Sequence, residues 1–204
     1  AKKRKATPRG EWGATRALCG CDGWMGGGRR LCEEEGMGTT IMPDITHILT
    51  LKVGTKYGSE YVNNLYRSIS KNAKRPFTLY CYTEDPRGLD KDIVIVPLED
   101  PSEFSLQWHK VKFHKINFAD IPTGEKCIIL DIDWIITSDI DPILNYDLPE
   151  KTFGCFERWW SNLRHLFKIN GGFQMYHMGD THRLWMTFSK NPDHWQNYYV
   201  RSEE

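Results

Sequence analysis

Apolar and polar residues alternate along this chain in two rhythms. "THILTLKV" (46–53) is an apolar, β-branched run of strand length. "SEYVNNLYRSISKN" (59–72) then places Tyr61, Val62, Leu65 and Ile69 at helical spacing, and "KNAKRP" closes it. "PFTLYCYT" (76–83) and "DIVIVPL" (92–98) read as a second and a third strand. "SLQWHKVKFHKINFAD" (105–120) reads as a helix that stops before Pro122. "KCIILDID" (126–133) is a fourth strand, and "KTFGCFE" (151–157) and "GGFQMYH" (171–177) are two more. "DTHRLWMTFSKN" (180–191) is a closing helix. Strands that alternate with helices, and are almost continuously apolar, predict an α/β fold with a mostly parallel sheet covered on both faces.

Residues 1–40 break this pattern. They are rich in glycine and charge, show no sustained period, and read as a flexible leader or an artificial extension. Cys19, Cys21 and Cys32 lie there without the paired spacing of a structural zinc site. The basic "KKRK" reads as a solvated charge run. Cys81, Cys127 and Cys155 sit inside apolar runs, which suits reduced, buried thiols and a cytoplasmic location. With 27 basic and 27 acidic residues the formal net charge is zero, against a dedicated nucleic-acid binder. No stretch approaches the roughly 18 apolar residues of a membrane span. No apolar segment follows the basic start, so it is not a secretory signal.

The chemistry gathers in "CIILDIDWIITSDIDPIL" (127–144). In the strand over 126–133, Asp131 and Asp133 project to one side and Ile132 to the other. Two carboxylates so close repel unless a cation sits nearby. Oxygen ligands suit Mg²⁺ or Mn²⁺, which bind through one or two carboxylates plus substrate phosphates. The plainer alternative is that one Asp caps the strand end and the other is solvated. His177 could complete a cation's shell, or could simply be hydrogen-bonded at a strand end. The second pair, Asp139 and Asp141, sits in "TSDIDPIL", with the marks of a turn entering a short helix.

The same stretch resembles the signature of GT-A-fold glycosyltransferases, especially the family that includes glycogenin and the bacterial galactosyltransferases. The match runs ungapped from Leu130 to Leu144. "ITHILTLKVGTKYGSEYVNNLYRSI", "WHKVKF" and "INGGFQMYHMGD" resemble the family's first strand and helix, its Trp/Phe-x-Lys segment and its Asn-x-Gly strand, in the same order. More narrowly, "NGGFQMYHMGDTHRLW" is similar to small virus-encoded members, such as chlorella-virus glycosyltransferases that decorate capsid protein. The resemblance implies one GT-A domain over 41–204, a mostly parallel mixed sheet flanked by helices, as the first domain of a longer protein or a trimmed version. It implies sugar transfer from a nucleotide-sugar donor, most often UDP-linked, to a glycan or glycoprotein acceptor, in the host cytoplasm for a viral member.

In that picture a Mn²⁺ or Mg²⁺ ion spans Asp133 and the donor diphosphate, and Asp131 contacts the ribose or the metal shell. Thr50, Lys52, Val53 and Tyr57 hold base and ribose, with the Tyr57 ring available to stack on uracil. Lys110 reaches a phosphate or a sugar hydroxyl. Asn170, Gly171 and Gly172 form a strand edge beside the donor sugar. An inverting enzyme needs a carboxylate base, for which Glu157 and Asp180 are the strand-end candidates. The family's later His-x-x-Gly-x-x-Lys and Gly-Asp/Glu-Gln motifs have no match here.

Plainer readings stand beside these. Lys52 could be a solvated strand-end lysine, Tyr57 could pack against Tyr61, and Lys110 shares a lysine-rich segment with Lys112 and Lys115. Gly171 and Gly172 could be a simple turn, and Trp159 and Trp160 could be packing rather than a sugar platform. Two other functions compete: a sugar nucleotidyltransferase-like enzyme and a non-catalytic sugar-binding module. The first should show a basic, Gly-rich phosphate loop after the first strand, which "LKVGTKYGSEY" lacks.

Overall fold

The computed structural model describes residues 45–157 and 169–199. The expectations for residues 1–40, including Cys19, Cys21 and Cys32, and for Trp159 and Trp160 lie outside them. Six strands form one sheet: β1 (Thr46–Lys52), β2 (Phe77–Thr83), β3 (Val94–Pro97), β4 (Lys126–Leu130), β5 (Gly154–Glu157) and β6 (Ile169–His177). Their order is β3-β2-β1-β4-β6-β5. The first four run parallel, whereas β6 pairs antiparallel with both β4 and β5. The mostly parallel mixed sheet expected from the sequence is present.

Alternation along the strands sends side chains to two cores. Ile48, Leu79, Cys81, Ile128, Leu130, Phe173 and Met175 face helix α1 (Ser59–Asn72), whose Val62, Leu65 and Ile69 are fully buried. Each such burial contributes roughly 1.5–3 kcal/mol. Leu49, Leu51, Tyr82, Cys127, Ile129 and Tyr176 face the opposite way, against Phe113, Phe118 and Ile121. Strand β4 is buried at all five positions, as its unbroken apolar run predicts.

Three expectations change. The helix over 105–120 is two 3-10 segments, Leu106–His114 and Phe118–Asp120, with left-handed backbone at Asn117, Ala119 and Asp120. Its buried residues do not form one stripe. Trp108 and Val111 serve an aromatic cluster with Phe104 and Phe188, while Phe113 enters the sheet's second core. Trp108, Val111 and His114 recur every three residues, the 3-10 period. The closing helix is shorter than expected, α2 (His182–Phe188), and a further helix beyond it, α3 (Pro192–Tyr198), begins with a proline at its first position. The fourth strand ends at Leu130, three residues earlier than expected. Among the described residues, no helix is long and apolar enough to cross a membrane.

His114 illustrates how tightly the second face is packed. It is 4% exposed, lies 2.8 Å from the Thr181 hydroxyl, and packs 4.9 Å from the Tyr176 ring. The Tyr176 hydroxyl in turn donates to the Phe113 carbonyl at 2.7 Å. Burial lowers the His114 pKa from 6.5 to about 4. The unfolded chain therefore takes up a proton near pH 6.5 that the fold refuses until about pH 4. Stability should fall as pH drops through that window, by about 3 kcal/mol in total. Urea denaturation from pH 7 to 4 should show this loss in the parent and a smaller one in His114→Gln. Equal pH slopes would refute it.

Candidate functional site

The parallel strands β1, β2 and β4 deliver their carboxyl ends to one edge, where open α/β sheets bind ligands. Thr50 is fully buried and its hydroxyl donates to the Leu130 carbonyl at 2.8 Å, fixing the end of β4 against β1. Asp131 follows at once. Its N–H donates to the Gly172 carbonyl at 3.2 Å, extending the β4–β6 ladder by one bond. The chain then turns, with the Trp134 N–H bonded to the Asp131 carbonyl at 3.2 Å. Asp131 and Asp133 thus sit on a turn rather than within a strand. Ile132 is buried in the α1-side core, and Asp133 is exposed.

Four residues of the sequence reading meet at this turn. The Lys110 ammonium forms an ion pair with Asp131 Oδ1, from side chains 17% and 34% exposed. Asn170 folds back so that its Oδ1 accepts the Gly172 N–H at 2.9 Å. A side chain at Gly172 would meet its neighbours tightly. A Cβ there would lie 3.0 Å from Asp131 Oδ2, and 3.2 Å from both Asn170 Oδ1 and Trp134 Nε1. The glycine is favoured here by close approach, not by a turn. Gly171, half-buried, precedes it in β6. Glu157 ends β5 opposite Ile169, where β6 begins, and so lies at this same end of the sheet, exposed.

The loop after β1 flanks the acids. The Lys56 ammonium lies 4.8 Å from the centre of the Tyr57 ring, and its pKa is raised by that tyrosine first, with Asp133 adding to the effect. Tyr57 also meets Tyr61 edge-on at 4.8 Å, as the packing alternative expects. Val53 is half-buried against the second core. Lys52 is 4% exposed and donates to the Asp85 carbonyl at 3.1 Å, so it is a buried lysine that ties β1 to the loop after β2.

His177 and Asp180 are not brought here. His177 pairs with Lys126, the first residue of β4, because β6 runs antiparallel. That places it five strand residues from Asp131, roughly 16 Å. Its Nδ1 is 3.7 Å from Asp180 Oδ2, which also accepts the Lys151 N–H at 2.7 Å. His177 lines a cleft of about 290 Å³ with Arg75, Lys126 and Tyr146 at the amino end of β4. A shell of Asp131, Asp133 and His177, and a base at Asp180, therefore do not form. Among the described residues no three His, Cys, Asp or Glu side chains converge as a cation cluster.

Sequence reasoning missed two neighbours. Glu84 accepts the Gly54 N–H on Oε1 at 2.6 Å, and its Oε2 is buried with no partner among the described residues. It follows β2 as Asp131 follows β4, an acid ending an apolar run, and that parallel was the available signal. Trp134 sets its indole Nε1 3.2 Å from the point where a Gly172 Cβ would stand. The second acid pair is the expected turn. Asp139 accepts the Asp141 N–H at 2.9 Å, and Asp141 accepts from the Lys74 and Arg75 N–H groups at 2.9 and 3.2 Å. Cys81 and Cys127 are buried, which pushes both thiols up to about 12 and leaves neither as a nucleophile.

No family model and no curated protein matches the chain. Solved structures do. The galactosyltransferase LgtC in complex with donor and acceptor sugar analogues superposes with a TM-score of 0.53 at 14% identity, over 74% of this chain and 65% of that one. An active-site mutant of LgtC gives a TM-score of 0.55 at 15% identity, over 77% and 67%. The chain thus spans about two thirds of the length of these enzymes. At this identity the likeness is one of fold, and the chain has the GT-A glycosyltransferase fold.

Gly172→Ala should crowd Asp131, Asn170 and Trp134 together and cost about 1–3 kcal/mol. Part of that cost should vanish when Asp131 is already Ala. Chemical denaturation of the two single variants and the double variant measures the coupling, and strict additivity would disprove the crowding.

Proposed function

We propose that this chain is a metal-dependent glycosyltransferase that moves a sugar from a UDP-sugar to a glycan or glycoprotein acceptor. The observation that carries the reading is the Asp131–Lys110 pair beside Gly172, followed by an exposed Asp133, at the carboxyl edge of a GT-A sheet. The donor and acceptor sugar analogues in the LgtC complex support a sugar donor and a sugar acceptor for the shared fold. The narrower likeness to virus-encoded enzymes makes a capsid glycoprotein the first acceptor to try, in the cytoplasm of a host.

Asp133 and Asp131 would hold Mn²⁺ or Mg²⁺ together with the diphosphate. The ion, when bound, neutralises charge on the leaving nucleotide. Lys110 adds a second positive charge from the side of the 3-10 segment. Asn170 and Gly171, both half-buried, offer a strand edge to the sugar, and Gly172 behind them leaves space for the Asp131 carboxylate. Tyr57, held under Lys56, offers the base an aromatic face. Glu157 stands at the correct end to serve as a carboxylate base. Thr50 and Lys52 act by position, since both are buried and already bonded within the protein.

Calorimetric titration of UDP, GDP and CMP with Mn²⁺ or with EDTA tests this. UDP should bind only with Mn²⁺, and Asp133→Ala should weaken it about a hundredfold or more. A folded protein that binds no nucleotide under either condition would favour the sugar-binding module.

A further inference from the structure

We propose that Lys110 is the resident counter-cation of Asp131, and that it leaves Asp131 for the donor diphosphate when a divalent cation binds. The inference rests on the transferase reading above and concerns how metal and nucleotide depend on one another. Its basis is which oxygen of Asp131 is occupied. Oδ2 is turned inward, 3.0 Å from the point where a Gly172 Cβ would stand. Oδ1 is the oxygen that takes the Lys110 ammonium. The ammonium therefore occupies the Asp131 oxygen turned away from Gly172, and a divalent cation bound there would meet a like charge.

Lys110 is suited to such an exchange. A lysine is a single point charge on a flexible stem, and it holds no bidentate grip that an exchange would break. Its neighbours on the same segment are engaged otherwise. Lys112 pairs with Glu103 over the Phe104 ring, and Lys115 is exposed. Asp133 is exposed and near Lys56, so it can meet an incoming cation without losing a buried partner.

Two consequences follow. Without nucleotide, Lys110 competes with the metal and keeps its affinity low. With nucleotide, the diphosphate accepts Lys110 and Asp131 is released, so each ligand tightens the other by the same factor. Removing the lysine charge should break that coupling while improving metal binding alone.

The test is calorimetry with Mn²⁺ alone, UDP alone and both together, on the parent, Lys110→Met, Lys110→Arg and the control Lys115→Met. Thermal melts establish that each variant folds. Lys110→Met should bind Mn²⁺ alone about tenfold more tightly, and the tightening of Mn²⁺ by UDP should shrink by a similar factor. Lys110→Arg should restore the parent's weak metal binding, and Lys115→Met should match the parent. If Lys110→Met does not fold, Lys110→Gln carries the comparison, because it keeps a donor to Asp131 without the charge. A folded charge-removed variant that binds Mn²⁺ no tighter than the parent overturns the exchange and leaves the transferase reading intact. A parent that binds neither Mn²⁺ nor UDP overturns both.

Discussion

The antiparallel pairing of β6 with β4 is the constraint on which the site depends. Because β6 runs against its neighbour, its first residues, Asn170 to Gly172, arrive where β4 ends, and its last, His177, where β4 begins. A parallel β6 would reverse that assignment. One hydrogen bond beyond the strand, from the Asp131 N–H to the Gly172 carbonyl, carries the pairing into the acid turn. The carboxylate is then set by backbone geometry, and no side-chain choice has to find it. Gly172 is part of the same arrangement, since the side chains of Asp131, Asn170 and Trp134 close in where its Cβ would stand.

Electrostatic order follows from this placement. Each acid of the turn has a lysine on its own side: Lys110 from the 3-10 segment at Asp131, and Lys56 from the loop after β1 near Asp133. Each aspartate is therefore offset by a lysine, and a cation added at this edge would favour an anionic ligand. The buried Thr50 and Lys52 serve the scaffold beneath, binding the carbonyls of Leu130 and Asp85 where the strands run out.

Much of this was legible in the sequence, because burial on both faces leaves an unbroken apolar run. That signal located β1, α1, β2 and β4 within a few residues, and the acids after β4 lie at the carboxyl edge of the sheet. The 3-10 segments were not legible. Their buried residues divide between two cores, and the left-handed backbone at Ala119 has no residue preference behind it. His177 and Asp180 misled for another reason. A strand's residues announce that it is a strand but not which way it runs, and direction decides which end a terminal histidine occupies. Glu84 was passed over because single acids after strands are common and only the fold puts this one beside Gly54.

The loop beyond the acid turn is fastened to α1 at two places. Ile136 takes the Ser68 hydroxyl and the Asn72 amide as partners, at 3.1 and 2.9 Å, and the Ile140 N–H donates to the Asn72 carbonyl at 3.1 Å. With β6 holding its near end and α1 its far end, the turn behaves as an anvil rather than a flap. Whatever enters this edge must conform to the carboxylates, and any give must come from the chain on the other side, around Lys56 and Lys110.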